Sequence, residues 1–141
     1  MRVQPIDGDT ILMTYNERLD VMGKRILVVD DSSMMRKMIR RVLTENGHEV
    51  IGDAKNGIEA VDHYRNLRPD VVTMDITMRD MDGLTAAREI FKIDDQARII
   101  FLTNLDREKY SGDAESLGAL GYVNKHNTEE ILSLIKGSGP D

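Results

Sequence analysis

Lys24-Arg25-Ile26-Leu27-Val28-Val29-Asp30-Asp31-Ser32 decides the fold. Four consecutive apolar residues end abruptly on two carboxylates and a hydroxyl. A run that apolar reads as a strand buried on both faces, the pattern of a parallel sheet covered by helices. Met34, Met35, Met38, Ile39, Val42 and Leu43 then recur at helical spacing, which predicts a helix over 33–46. Gly47 is placed to end it.

Working outward, the same alternation returns along the chain. A strand is expected over 49–54. Asn56 is expected to cap a helix carrying Ile58, Val61, Tyr64 and Leu67 on one face. Val71-Val72-Thr73-Met74 closes on Asp75, and a loop over 76–83 leads to a helix over 84–93. A strand over 97–102 closes on Thr103. A weak helix over 106–118 is interrupted by Ser111-Gly112. The last strand, over 122–124, closes on Lys125, and Thr128 is expected to cap a helix over 129–136. Five strands alternating with five helices predict an α/β fold, a five-stranded doubly wound parallel sheet in three layers, α/β/α.

Residues 1–21 show no clear period, although 10–13 could form a short strand or turn. The domain is therefore expected over 23–137, with 1–22 as an N-terminal extension and 138–141 as a tail. The extension either packs on the domain or a partner, or reflects an upstream start codon. The chain has 141 residues, enough for one domain with a real core. Its net charge of −6 and lack of a basic tract argue against nucleic acid as a partner. Absence of cysteine excludes disulfides and thiol chemistry. No apolar stretch is long enough for membrane insertion, and no secretory signal is read at the start, so the expected address is cytoplasmic. A monomer or weak dimer is expected.

In a parallel sheet the carboxyl ends of all strands face one way, and ligands bind there. Asp30, Asp31, Asp75, Thr103 and Lys125 would therefore converge. Adjacent acids are costly unless a cation offsets them, and Mg²⁺ favours such oxygen ligands. A carboxylate can also act as a nucleophile toward phosphorus, a reaction that asks mainly for positioning and charge neutralisation. Singly, each residue has a plainer reading: helix capping for the acid pair, turn initiation for Asp75, a surface lysine and a strand threonine.

Together with Val72-Thr73-Met74-Asp75-Ile76-Thr77-Met78, Met81-Asp82-Gly83, Thr103 and Gly121-Tyr122-Val123-Asn124-Lys125, the opening stretch resembles the receiver domain of two-component response regulators, and single-domain chemotaxis-type (CheY-like) proteins most. The resemblance covers about 23–136. It implies a flavodoxin-like receiver fold and a phosphoprotein in which Asp75 is the phosphoacceptor. Asp30, Asp31 and Asp75, with the main-chain carbonyl of Thr77, would hold Mg²⁺. Lys125 would contact the phosphoryl group. Thr103 would be the switch hydroxyl and Tyr122 the aromatic that turns inward with it. A sensor histidine kinase would be the donor and an unnamed protein the target, bound on the face made by the 106–118 helix, the last strand and the last helix.

Some positions depart from the family pattern. Arg79 and His126 stand where proline is usual, and Asn104 where a small residue is usual. Thr77 and Leu105 predict poor water positioning and a long-lived phosphoryl group. The leading expectation is a stand-alone receiver with Mg-dependent self-phosphorylation and self-dephosphorylation and no other enzymatic turnover. The alternatives are a phosphorelay carrier and a pseudo-receiver that only binds. A dehalogenase-like phosphatase is disfavoured, because Thr77 stands where its second acid would be.

Overall fold

The computed structural model describes residues 4–5, 12–13, 23–104 and 111–138. Two short strands, β1 (Gln4–Pro5) and β2 (Leu12–Met13), pair antiparallel. From Arg25 the order is β3 (Arg25–Val29), α1 (Ser33–Glu45), β4 (Glu49–Ala54), α2 (Gly57–Leu67), β5 (Val71–Asp75), α3 (Gly83–Ile93), β6 (Ile99–Thr103), α4 (Ser111–Ser116), β7 (Gly121–Asn124) and α5 (Thr128–Lys136). The strands β3 to β7 form one sheet in the order β4-β3-β5-β6-β7, with every pairing parallel. This is the flavodoxin-like order. The chain leaves β3 for β4 on one side and later returns to β5 on the other, so the crevice between the ends of β3 and β5 is the switch point where such sheets bind ligands.

Side-chain alternation along the strands sorts the core into two layers. Leu27, Val29, Val72, Met74, Ile99, Phe101 and Tyr122 pack with Ala60 and Tyr64 of α2, Ala86, Ala87 and Ile90 of α3 and Ala114 of α4. Ile26, Val28, Val71, Ile100, Leu102 and Val123 pack with Ile39 and Leu43 of α1 and Ile131 and Ile135 of α5. Because both faces are covered, every residue of β5 and β6 is buried. That is why these strands read as continuous apolar runs. Each fully buried Leu, Ile or Phe contributes roughly 1.5–3 kcal/mol.

Local signals set the element ends. The side chains of Ser32, Asn56 and Asp82 accept hydrogen bonds from Met35, Glu59 and Thr85 N–H, capping α1, α2 and α3. Gly47 follows α1 at φ +85°, a conformation only glycine adopts freely. Several expectations need correction. Asn127 rather than Thr128 caps α5, its Oδ1 accepting from Glu130 N–H at 3.2 Å. Ile58 does not share the buried face of α2; it is 57% exposed, while Ala60 and Tyr64 pack into the core and Gly57 is buried against Met81. Met34 is 77% exposed, so the inward face of α1 is Ile39 and Leu43 with Met35 and Met38 beside them. The strand expected over 97–102 runs Ile99–Thr103. Of the helix expected over 106–118, α4 covers Ser111–Ser116, and the expectations for 105–110 lie outside the described residues. Ser138, read as tail, is buried, and its N–H donates to Ile135 O.

Candidate functional site

β3 and β5 deliver their acids to the switch point by different routes. β5 keeps its ladder through Asp75, which pairs in register with Leu102. Asp75 shares the strand face of Val71 and Thr73, so its carboxylate lies on the α1/α5 side of the sheet. β3 stops at Val29, and Asp30 turns into the loop. Its N–H donates to Ala54 O at 3.0 Å, and its Oδ1 accepts from Ser32 N–H at 2.9 Å. Asp31 follows on the exposed rim.

Lys125, just beyond β7, reaches back across β6. Its Nζ lies 2.8 Å from Asp30 Oδ2 and 3.2 Å from Asp75 Oδ2. Asp30, Asp75, Thr103 and Lys125 are all buried. The Lys125–Asp30 contact is an ion pair, and Asp30 Oδ2 has no other hydrogen-bond partner among the described residues. One carboxylate oxygen from each of Asp30, Asp31 and Asp75 lies within 4.8 Å of the others.

Three carboxylates thus face one ammonium, and the electrostatics record the imbalance. Burial, then the Asp30 charge, raises the Asp75 carboxyl from 3.8 to about 6, against the opposing pull of Lys125. Burial alone would lower the Lys125 ammonium, but Asp30 and Asp75 outweigh it and the net direction is upward. An all-oxygen cluster of three carboxylates facing a single ammonium fits a hard divalent cation such as Mg²⁺.

A cavity of about 360 Å³ opens over the cluster, lined by Asp31, Ser32, Met35, Asp75, Thr77, Thr103, Asn104 and Lys125. Every residue expected at the site therefore borders this cavity except Asp30, buried beneath it, and Tyr122. Tyr122 is buried in the opposite core layer, and the register sets it beside Phe101, two residues before Thr103 on the same strand face. Arg79 and Asp80 line a neighbouring groove with Asp31, Lys55 and Asn56 and do not border the cavity over Asp75. His126 is exposed, and no described peptide bond is cis.

Two contributors escaped the sequence reading. Gly83 packs so closely that a Cβ would lie 2.1 Å from Asp75 O, so it permits α3 to start directly behind Asp75. Met81-Asp82-Gly83 carried the signal, but only as a loop. Arg36 donates from Nη1 to Asp30 O at 2.7 Å, and nothing in its helical spacing announces this contact.

Comparison with known proteins agrees with this geometry. The response regulator receiver domain family matches residues 26–136. The chain is 48% identical over 115 residues to the chemotaxis protein CheY of Bacillus subtilis, covering 81% of this chain and 96% of the relative. It is 46% identical over 104 residues to CheY of Thermotoga maritima, covering 74% and 87%. Among solved structures, the CheX-CheY-BeF3-Mg complex from Borrelia burgdorferi contains a chain similar at a TM-score of 0.77 and 33% identity, covering 82% of this chain and 89% of that one.

Proposed function

The chain belongs to the response regulator receiver domain family, and on that premise we propose that it is a phosphorylation-controlled switch whose acceptor is Asp75. The observation that carries the reading is the Lys125 ammonium held between Asp30 and Asp75 at the rim of an acidic cluster. The likeness to CheY proteins supports chemotaxis-type signalling with a sensor histidine kinase as donor, in the cytoplasm.

In the reaction, a carboxylate oxygen of Asp75 attacks the phosphorus of a phosphorylated donor. The bond from phosphorus to the donor's leaving atom breaks, and an acyl phosphate forms on Asp75. Asp30, Asp31 and Asp75, with the Thr77 carbonyl, would hold Mg²⁺, which when bound supplies neutralisation of the phosphoryl charge. Lys125 is already beside Asp75 Oδ2 and pairs with a phosphoryl oxygen once the group arrives. Asp75 is buried, so its attack is aimed through the cavity rather than from open solvent.

The phosphoryl group brings a charge of about −1.5 to −2 and three strong acceptors. Thr103 borders the same cavity and would donate to one of them. Its movement vacates space on the strand face it shares with Phe101, beside Tyr122, and the buried tyrosine ring follows. The equilibrium shifts by the difference in contacts between the two states. The face of α4, β7 and α5 would carry that shift to a protein target.

Beryllofluoride with Mg²⁺, observed by amide NMR, tests the switch. The expected result is a new set of resonances at Thr103, Tyr122 and α4, abolished by EDTA and by Asp75→Ala. Spectra that change only around Asp31 and Thr77 would leave an acceptor without a switch. No change at all would favour a module that only binds.

A further inference from the structure

α1 carries four cations, Arg36, Lys37, Arg40 and Arg41, and Arg36 turns inward. Its Nη1 donates to the main-chain carbonyl of Asp30 at 2.7 Å. Its Nε lies 3.8 Å from Asp53 Oδ2 on β4, which Arg40 Nη2 also approaches at 3.3 Å. One guanidinium thus ties together a helix, the loop after β3 and the edge strand. The position matters because the β3 ladders to β4 and β5 both end at Val29. The Asp30 carbonyl lies beyond them, and an unmet buried carbonyl is costly. Arg36 supplies the partner that the sheet does not. The Asp30 backbone is then held at both ends, its N–H by Ala54 O and its C=O by Arg36.

We propose that Arg36 is a positioning residue for the cation site, fixing the Asp30 backbone so that its carboxylate faces those of Asp31 and Asp75. This rests on the reading that the acidic cluster takes a divalent cation. Arg36 touches neither the cation nor the phosphoryl group; it acts through Asp30. Groups that orient a metal ligand typically cost 10–100-fold in metal affinity when removed, and a contact to backbone rather than to the carboxylate belongs at the lower end, about tenfold.

The test is Mn²⁺ binding to the whole chain, read as free Mn²⁺ by electron paramagnetic resonance, with Mg²⁺ competition. Arg36→Gln should weaken both ions about tenfold. Arg36→Lys keeps a cationic donor but not the fork that reaches Asp30 and Asp53 together, so a partial weakening, about threefold to fivefold, is expected. Asp53→Asn loosens the guanidinium from behind without touching Asp30, and about a twofold to threefold weakening is expected. It serves should Arg36→Gln fail to fold, which the thermal midpoint in EDTA reports. Equal affinity in wild type and the variants overturns the positioning role and leaves the cation site standing. No Mn²⁺ bound by wild type overturns the reading beneath it, and this inference with it.

Discussion

Asp75→Asn should make the metal-free protein more stable at neutral pH while abolishing phosphorylation. The Asp75 carboxyl is buried and faces Asp30 and Asp31. Its rise from 3.8 to about 6 means that the fold prefers it protonated. At about 1.4 kcal/mol per pH unit, keeping it ionised costs the fold about 3 kcal/mol. The sign follows from linkage. Well below 3.8 the group is protonated in both states and the cost is absent. It grows as pH rises from about 4 through about 6, and is complete above that. Asparagine is neutral throughout, so its advantage follows the same curve. That cost is already net of the pull of Lys125 on Asp75, and Lys125 still has Asp30 at 2.8 Å, so the gain in the variant is about 3 kcal/mol at neutral pH. Urea denaturation in EDTA at pH 4.5 and 7.5 measures this. The gap should be about 1 kcal/mol at the lower pH and about 3 kcal/mol at the higher, with Mg²⁺ narrowing it by binding wild type more tightly. An Asp75→Asn protein no more stable than wild type at pH 7.5, or a gap independent of pH, would refute the reasoning.

Other perturbations follow from the same structure. Thr73 is fully buried in β5, and its hydroxyl has no hydrogen-bond partner among the described residues. Thr73→Val should therefore stabilise by about 1 kcal/mol in a denaturant titration, and a loss of stability would show that the hydroxyl is satisfied. Lys125→Met leaves Asp30 and Asp75 facing each other without their cation, and should cost about 3 kcal/mol in EDTA, part of it restored by Mg²⁺. Failure of Mg²⁺ to restore any would argue that the cluster is not a cation site. Gly83→Ala must push a methyl group against Asp75 O and Ile76 Cα, so a loss of at least about 2 kcal/mol is expected, with slower acceptance of phosphate. Wild-type stability in that variant would mean that α3 shifts freely.

Strand identity was legible because burial on both faces leaves β5 and β6, Thr73 excepted, apolar up to their last residues, and the chemistry then stands out where each run stops. Asp75, Thr103 and Lys125 are conspicuous for that reason, and the parallel sheet brings them together. Helix faces were less legible. Met34 and Ile58 fit the apolar spacing yet point to solvent, because Ile39 and Leu43 take the covered positions in α1 and small residues, Gly57 and Ala60, take covered positions in α2. Thr128 and Asn127 are both good caps, and only backbone geometry decides between neighbours. The Arg36 bond to Asp30 was hidden for another reason. It is made to a main-chain carbonyl, which every residue has, so no residue pattern marks it.

Intact mass after incubation with acetyl phosphate and Mg²⁺ tests the central claim most directly. Wild type should gain one phosphoryl group. The adduct should be missing in EDTA and in Asp75→Ala, whose fold is checked by circular dichroism. An adduct that persists in folded Asp75→Ala would place the acceptor elsewhere. Wild type left unmodified by both acetyl phosphate and a phosphorylated histidine kinase would contradict the claim that this acidic cluster accepts phosphate.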